Sequence, residues 1–326
     1  MSIIDTHSHW FPQEWIDLIE KEGAANGAEV GRNARGQVTF HVPGMRYVFK
    51  KEYTDLDMRF KAMDEAGVDM HVISLTSPTV YWAPPEFGLK LSRLWNDKVS
   101  ELVMKHPKRF IGLASAPMQA PELVVAELDR ASKLPGLRGI YMATAINGVN
   151  LDEKQFFPVY AKCEELGWPI FLHPLNTLAK ERLGKYHLRN LLGNPYDTGV
   201  AAASLIFGGV LDAFPKLDVV LVHAGGAFPA LVGRMDHGAA VRAEAKLPQP
   251  PTKYVRRFHY DTITHNDEIL LNLIRQMGAD RIMLGSDHPA DMGSARPADA
   301  VKRLTALTAG ERDLILSGNV RRLLKM

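Results

Sequence analysis

Eight short runs, each close to fully apolar or alternating, recur along the 326-residue chain: residues 3–6, 71–75, 110–114, 137–142, 169–172, 219–223, 257–263 and 281–285. Runs this short, rich in β-branched and aliphatic residues, suit strands buried in a parallel sheet better than helices. The longer amphipathic segments between most of them supply the helical crossovers that parallel strands require. Eight such units predict an α/β chain folded as a (β/α)8 TIM barrel. A doubly wound sheet is the rival, but it usually carries a glycine-rich phosphate turn after its first strand. Here that position reads Asp5-Thr6-His7-Ser8-His9, without GxGxxG.

Capping residues mark the helices. Asp55 opens 56–65, Pro85 opens 86–105, Pro121 opens 122–133 and Asp152 opens 153–166. Asp197 opens a segment to 211, Asn266 caps 267–277, Pro297 starts 298–307, and a last helix is expected over 310–325. The polar stretch from Pro12 to Tyr53 contains Gly23, Gly27, Gly31, Gly36 and Gly44 and breaks this rhythm. It reads as an excursion inserted after strand one, about residues 12–54, lying over the barrel mouth with a hairpin at Arg35-Gly36. With no linker tract or solenoid repeat elsewhere, residues 1–326 are expected to form a single domain.

Charge narrows the partners. The 39 Lys+Arg and 37 Asp+Glu leave a net +2 with no long single-sign run, which argues against nucleic acid and acidic membrane surfaces and favours a small-molecule substrate. The longest weakly apolar run, 199–211, is too short to span a bilayer, and the N-terminus lacks a basic-then-apolar leader, so a cytoplasmic protein is expected. A single cysteine, Cys163, excludes internal disulfides and cysteine-based zinc clusters and reads as core filler. Any bound metal must therefore be held by histidine and carboxylate.

In a barrel, reactive side chains gather where strands end. His7 and His9 end the first predicted strand, His173 the fifth, His223 the sixth and Asp287 the eighth. Residues two apart on a strand share a side, so His7 and His9 can aim both imidazoles at one ion. His173 adds a third nitrogen and Asp287 a hard anionic oxygen, a set suited to Zn²⁺ or a similar divalent ion with a position left open. Such an ion would lower the pKa of bound water from about 15.7 to about 7. His223 is placed to exchange protons there. His41, His71, His106, His187 and His237 read as surface or packing residues, whereas His288, next to Asp287, can touch substrate from the mouth.

These motifs carry a resemblance. Ile4-Asp5-Thr6-His7-Ser8-His9, Phe171-Leu172-His173-Pro174, Val222-His223-Ala224-Gly225-Gly226 and Leu284-Gly285-Ser286-Asp287-His288-Pro289 resemble the metal-dependent amidohydrolase superfamily. Trp10-Phe11-Pro12, Met63-Asp64-Glu65-Ala66-Gly67-Val68 and Pro117-Met118-Gln119-Ala120-Pro121-Glu122-Leu123 are similar to the α-amino-β-carboxymuconate-ε-semialdehyde decarboxylase subgroup, through nearly the whole chain. The resemblance implies Zn²⁺, with Mn²⁺ as the other candidate, on His7, His9, His173 and Asp287, and His223 as general acid/base. It also implies that Arg46 and Arg234 bind substrate carboxylates, Arg234 being donated across a homodimer.

Where that subgroup has a Trp after its strand-five His-Pro, this chain has Leu175. A downstream Trp-Leu-Val becomes Asn190-Leu191-Leu192, and a Tyr-Pro-Phe after the metal Asp becomes His288-Pro289-Ala290. All three changes bear on the pocket wall. The expected activity is therefore non-oxidative decarboxylation of an unsaturated or aromatic carboxylate, such as aminocarboxymuconate semialdehyde or a hydroxybenzoate-type acid. Two routes fit: hydroxide addition before CO₂ leaves, or metal chelation with protonation of the ring carbon. The alternative activity is hydrolysis or hydration of a ring-cleavage product, ester or lactone on the same site.

Overall fold

The apolar runs become strands because each can bury both faces at once. The computed structural model describes residues 2–175 and 181–326. Its first half contains β1 (Ile4–His9), α1 (Gln13–Glu22), β2 (Glu29–Arg32), β3 (Val38–Val42), β4 (Met45–Val48), α2 (Leu56–Ala66) and β5 (Met70–Ser74). Then follow α3 (Pro85–Lys105), β6 (Phe110–Ala114), α4 (Pro121–Ala131), β7 (Leu137–Ala143), α5 (Phe157–Leu166) and β8 (Ile170–His173). The second half contains α6 (Asn194–Phe207), α7 (Val210–Ala213), β9 (Val219–Leu221), α8 (Phe228–Val241), β10 (Phe258–Asp261), α9 (Asp267–Met277) and β11 (Ile282–Met283). The chain closes with α10 (Pro297–Arg303), α11 (Ala309–Asp313) and α12 (Asn319–Leu323).

All eight predicted strands form, parallel and in the order β1-β5-β6-β7-β8-β9-β10-β11. The last returns to the first: Thr6 N–H donates to Leu284 O at 2.8 Å, and Ser8 bridges His288 in parallel. The inside of this cylinder is a packed apolar cluster of Ile4, Val72, Ile111, Leu113, Tyr141, Phe171, Val220 and Met283. Val320, Leu323 and Leu324 from the C-terminal segment pack against it. Each such side chain contributes about 1.5–3 kcal/mol when fully buried. Inside the cylinder, polar residues are thereby left to the ends of the strands.

One irregularity decides what the first strand presents. Asp5 pairs with His71, but Ser8 pairs with Ile73, so β1 has one residue more than β5 over the same stretch. Strict alternation from the inward Ile4 would turn His7 and His9 outward; the bulge resets the parity and brings both to the inner side.

Asp55 caps α2, accepting from Met58 N–H, and Asn266 caps α9, accepting from Ile269 N–H, as expected. Two caps differ. Asp152 does not open α5, which starts at Phe157 after a short 3-10 turn with Pro158 in its first turn. Helix α6 starts at Asn194, three residues before Asp197, running on directly from a π-helical turn, Arg189–Gly193; Asp197 is buried and accepts from the Thr144 hydroxyl. The expected helix over 310–325 is interrupted by a π-helical turn, Leu314–Gly318. Between β1 and α2 lie α1 and a separate antiparallel sheet, β2-β3-β4, whose first turn spans Arg35-Gly36. Cys163 is fully buried in α5, and burial pushes its thiol up to about 12. Among the described residues no helix is long and apolar enough to cross a membrane.

Candidate metal centre

His7, His9, His173 and Asp287 converge, each offering one ligand atom, and these four atoms lie within 4.8 Å of one another. Asp287 Oδ1 is the hub: 3.0 Å from His9 Nε2, 3.3 Å from His7 Nε2 and 4.0 Å from His173 Nε2. The three rings stand edge to face, with centroids 5.0–5.1 Å apart. The opposite nitrogen of each ring is held. His7 Nδ1 meets Asp261 Oδ2 at 2.8 Å, His9 Nδ1 meets Ser74 Oγ at 2.9 Å, and His173 Nδ1 meets the Pro174 carbonyl at 2.9 Å. The inward nitrogens of His7 and His173 are buried without a hydrogen-bond partner. Buried orphan nitrogens facing one carboxylate fit a divalent cation, because lone pairs that find no donor are costly unless an ion uses them.

The electrostatics agree. Burial pulls His9 down to about 4 and takes His173 well below the ordinary imidazole range, so both present neutral lone pairs. Burial also pulls on His7, but Asp287 and Asp261 overcome it and lift the ring to about 10. Burial alone would raise the Asp287 carboxyl, yet His7, His223 and His9 hold it well below the usual carboxylate range. The site draws positive charge to the point where four ligand atoms meet.

His223 lies two residues beyond β9, and its Nε2 is 3.5 Å from Asp287 Oδ2. It opens a run of four left-handed residues: His223 at φ +52°, Ala224 at +56°, Gly225 at +79° and Gly226 at +58°. At Gly226 a Cβ would stand 2.1 Å from the Pro195 carbonyl oxygen, so only glycine lets this turn approach the start of α6. The two non-glycine residues cost of order 1 kcal/mol each. Asp261 offsets this cost: its Oδ2 accepts from His223 N–H at 2.9 Å and its Oδ1 from Ala224 N–H at 2.7 Å. One carboxylate at the end of β10 thus orients both His7 and the His223 turn. Strand-end reasoning does not single it out in the sequence because the seventh run was expected to extend to 263, whereas β10 ends at Asp261 itself. Asp261→Asn is expected to weaken metal binding about 10- to 100-fold, measured by competition with a chelator, because an amide cannot hold His7 Nδ1–H as a carboxylate does.

Residues 4–326 match the family model described as Amidohydrolase. The chain belongs to the amidohydrolase family. It is 34% identical to 2-amino-3-carboxymuconate-6-semialdehyde decarboxylase of Dictyostelium discoideum, over 97% of this chain and 89% of that protein. It is 31% identical to gamma-resorcylate decarboxylase of Polaromonas sp., over 83% and 87%. Among solved structures, 5-carboxyvanillate decarboxylase from Sphingomonas paucimobilis aligns with a TM-score of 0.86 at 25% identity, covering 100% of this chain and 99% of that one. Dihydroxybenzoic acid decarboxylase from Polaromonas sp., solved with manganese and 2-nitroresorcinol, aligns at 0.81 and 26% identity, covering 99% and 97%.

The remaining candidates of this amidohydrolase are dispersed. Asn190 shares a cavity of ≈ 340 Å³ with His223 and Asp287, walled by Leu191, Ile263 and Met292. Leu175 lines a separate space of ≈ 160 Å³ with Met45, Tyr81 and Trp82. His288 is not brought to the His223 cavity: it faces a third one, ≈ 450 Å³, with Asp5 and His71, and its ring stands 5.4 Å from that of His71. Burial drives His288 down to about 3, so it is a neutral group there. Arg46 is exposed on β4, paired across the sheet with His41, which bonds Glu29. Arg234 is exposed on α8. Within one chain neither arginine lines the cavity of His223 and Asp287. His71, expected at the surface or in plain packing, is buried with charged partners instead.

Proposed function

We propose that the chain is a metal-dependent, non-oxidative decarboxylase of an unsaturated or aromatic carboxylate, with Zn²⁺ as the ion and Mn²⁺ as the other candidate. The observation that carries this reading is the meeting of His7, His9, His173 and Asp287 beside His223, with Asp287 and His223 both lining a ≈ 340 Å³ cavity. The decarboxylase names of its amidohydrolase relatives support the reaction class.

A divalent ion on those four ligands would supply Lewis acidity for the negative charge that develops as the C–C bond breaks. The chain's own groups do the rest. The apolar wall of Leu191, Ile263 and Met292 accepts a planar unsaturated skeleton. When the carboxylate leaves as CO₂, the bonding pair stays on carbon and must take a proton. His223 is the group that delivers it, since its Nε2 lies 3.5 Å from Asp287 Oδ2, beside the point where the ligand atoms meet. Asp261 keeps that imidazole in place through the backbone rather than through the ring. Arg46, and Arg234 from a second copy in a homodimer, hold the substrate's carboxylates through bidentate forks.

The decisive assay is CO₂ release by metal-loaded protein offered gamma-resorcylate, 5-carboxyvanillate and 2-amino-3-carboxymuconate-6-semialdehyde. One CO₂ per substrate consumed is expected for at least one of them. Turnover without CO₂ would move the protein to hydrolysis or hydration. Site sharing has its own measurement. Arg46→Ala and Arg234→Ala should each lose activity with metal retained, and mixing them after subunit exchange should restore part of it. Absence of rescue, with exchange confirmed, would put both arginines outside a shared site.

A further inference from the structure

Under α2, on the outer side of the barrel wall, lies a buried polar cluster that the proposed chemistry does not use. Arg59, fully buried, reaches from α2 toward β1 and β5. Its Nη2 donates to the His9 carbonyl, and its Nη1 donates to His71 Nδ1 at 3.1 Å. A nitrogen that accepts from a guanidinium carries no proton, so the His71 proton sits on Nε2, 3.4 Å from Asp5 Oδ2. Asp5 in turn accepts from the Ser286 hydroxyl, from Ser286 N–H at 3.0 Å and from His7 N–H at 3.0 Å. The Ser286 hydroxyl oxygen accepts from His288 N–H at 3.0 Å, which leaves Asp287 flanked on both sides. Asp287 N–H closes the mesh on the His7 carbonyl at 2.8 Å.

We infer that Arg59 is a positioning residue for the metal centre: through His71, Asp5 and Ser286 its fork locks the backbone of His7, His9 and Asp287, three of the four ligands. The geometry explains why a full charge is retained in a buried place. Taking a guanidinium out of water is costly, and Asp5 compensates the charge through His71 rather than by direct contact. A packing role would be served as well by an apolar side chain. Two fixed donors aimed at two different acceptors are what only the planar fork supplies. The bulge in β1 adds to the need. With one extra residue, the strand end is not fixed by ladder hydrogen bonds alone, and Arg59 holds the carbonyl of the residue that closes it.

The inference rests on the assignment of the four ligands but not on the decarboxylase reading, and it is read by metal binding rather than turnover. Arg59→Lys keeps the charge and removes the fork, since one ammonium cannot reach both His9 O and His71 Nδ1 in the same geometry. The expected result is a 10- to 100-fold weaker Zn²⁺ affinity by chelator competition, together with a changed visible spectrum of the Co²⁺-substituted protein. A purely structural role would lower the thermal midpoint of the metal-free protein and leave the Co²⁺ spectrum unchanged. An affinity within twofold of the parent and an identical spectrum would overturn the inference. Should Arg59→Lys fail to fold, Ser286→Ala removes the hydroxyl link between Asp5 and the Asp287 turn. It is expected to weaken Zn²⁺ in the same direction with a shifted Co²⁺ spectrum, and no change in either would overturn the inference equally.

Discussion

His223→Asn is expected to keep one divalent ion per chain and to lose CO₂ release by about two to four orders of magnitude, the range that a positioned acid or base contributes. The ion stays because His223 is not among the four atoms that meet within 4.8 Å, and because its link to Asp261 runs through the backbone amide, which the substitution leaves intact. Asparagine is the replacement of choice because the position sits at φ +52°, where asparagine is tolerated and alanine adds strain. Elemental analysis and initial-rate CO₂ measurement on the same sample separate the outcomes. Loss of the metal would make His223 a ligand, and retained turnover would remove it from proton transfer.

The contrast between what was legible in the sequence and what was not follows from range. Phe110–Ala114 reads from its own residues, since a five-residue apolar run between helical segments has few other uses. His7, His9, His173 and Asp287 read from their place at strand ends, because a barrel delivers all such positions to one face. The bulge in β1 is invisible in the sequence: nothing in Ile4-Asp5-Thr6-His7 announces an extra residue, and the inward turn of both histidines depends on the register with β5. The roles of His71, which reads as a surface or packing residue, and of Arg59 are not legible in the sequence for a related reason. Their partners lie on other elements, 66 residues away for Asp5 and 50 for His9, and neither residue stands at a strand end. Arg46 is legible only through its motif. A motif match names the residue type, while its exposed position in the β2-β3-β4 sheet depends on the alternation of that sheet, which turns Tyr47 the other way.

Asp287→Asn tests the centre at its hub and carries the largest expected effect on metal. The carboxylate is the one anionic member of the ligand set, and its Oδ1 faces all three imidazole nitrogens. An amide keeps the shape and tolerates φ +62°, but it offers only a neutral oxygen and turns two N–H donors toward nitrogens that need a cation. The variant is expected to come through purification with metal well below one equivalent and with CO₂ release at background. Thermal melting gives a second readout that does not depend on substrate. An ion that binds only the folded chain stabilises it by RT ln(1 + [L]/Kd), about 2.7 kcal/mol at a hundredfold excess over Kd, so added Zn²⁺ should raise the midpoint of the metal-free parent and leave that of Asp287→Asn nearly unmoved. An equal thermal shift in both, with one equivalent bound, would strike Asp287 from the ligand set. It would leave the positive charge drawn to His7 as an ion pair within the fold rather than the imprint of a metal.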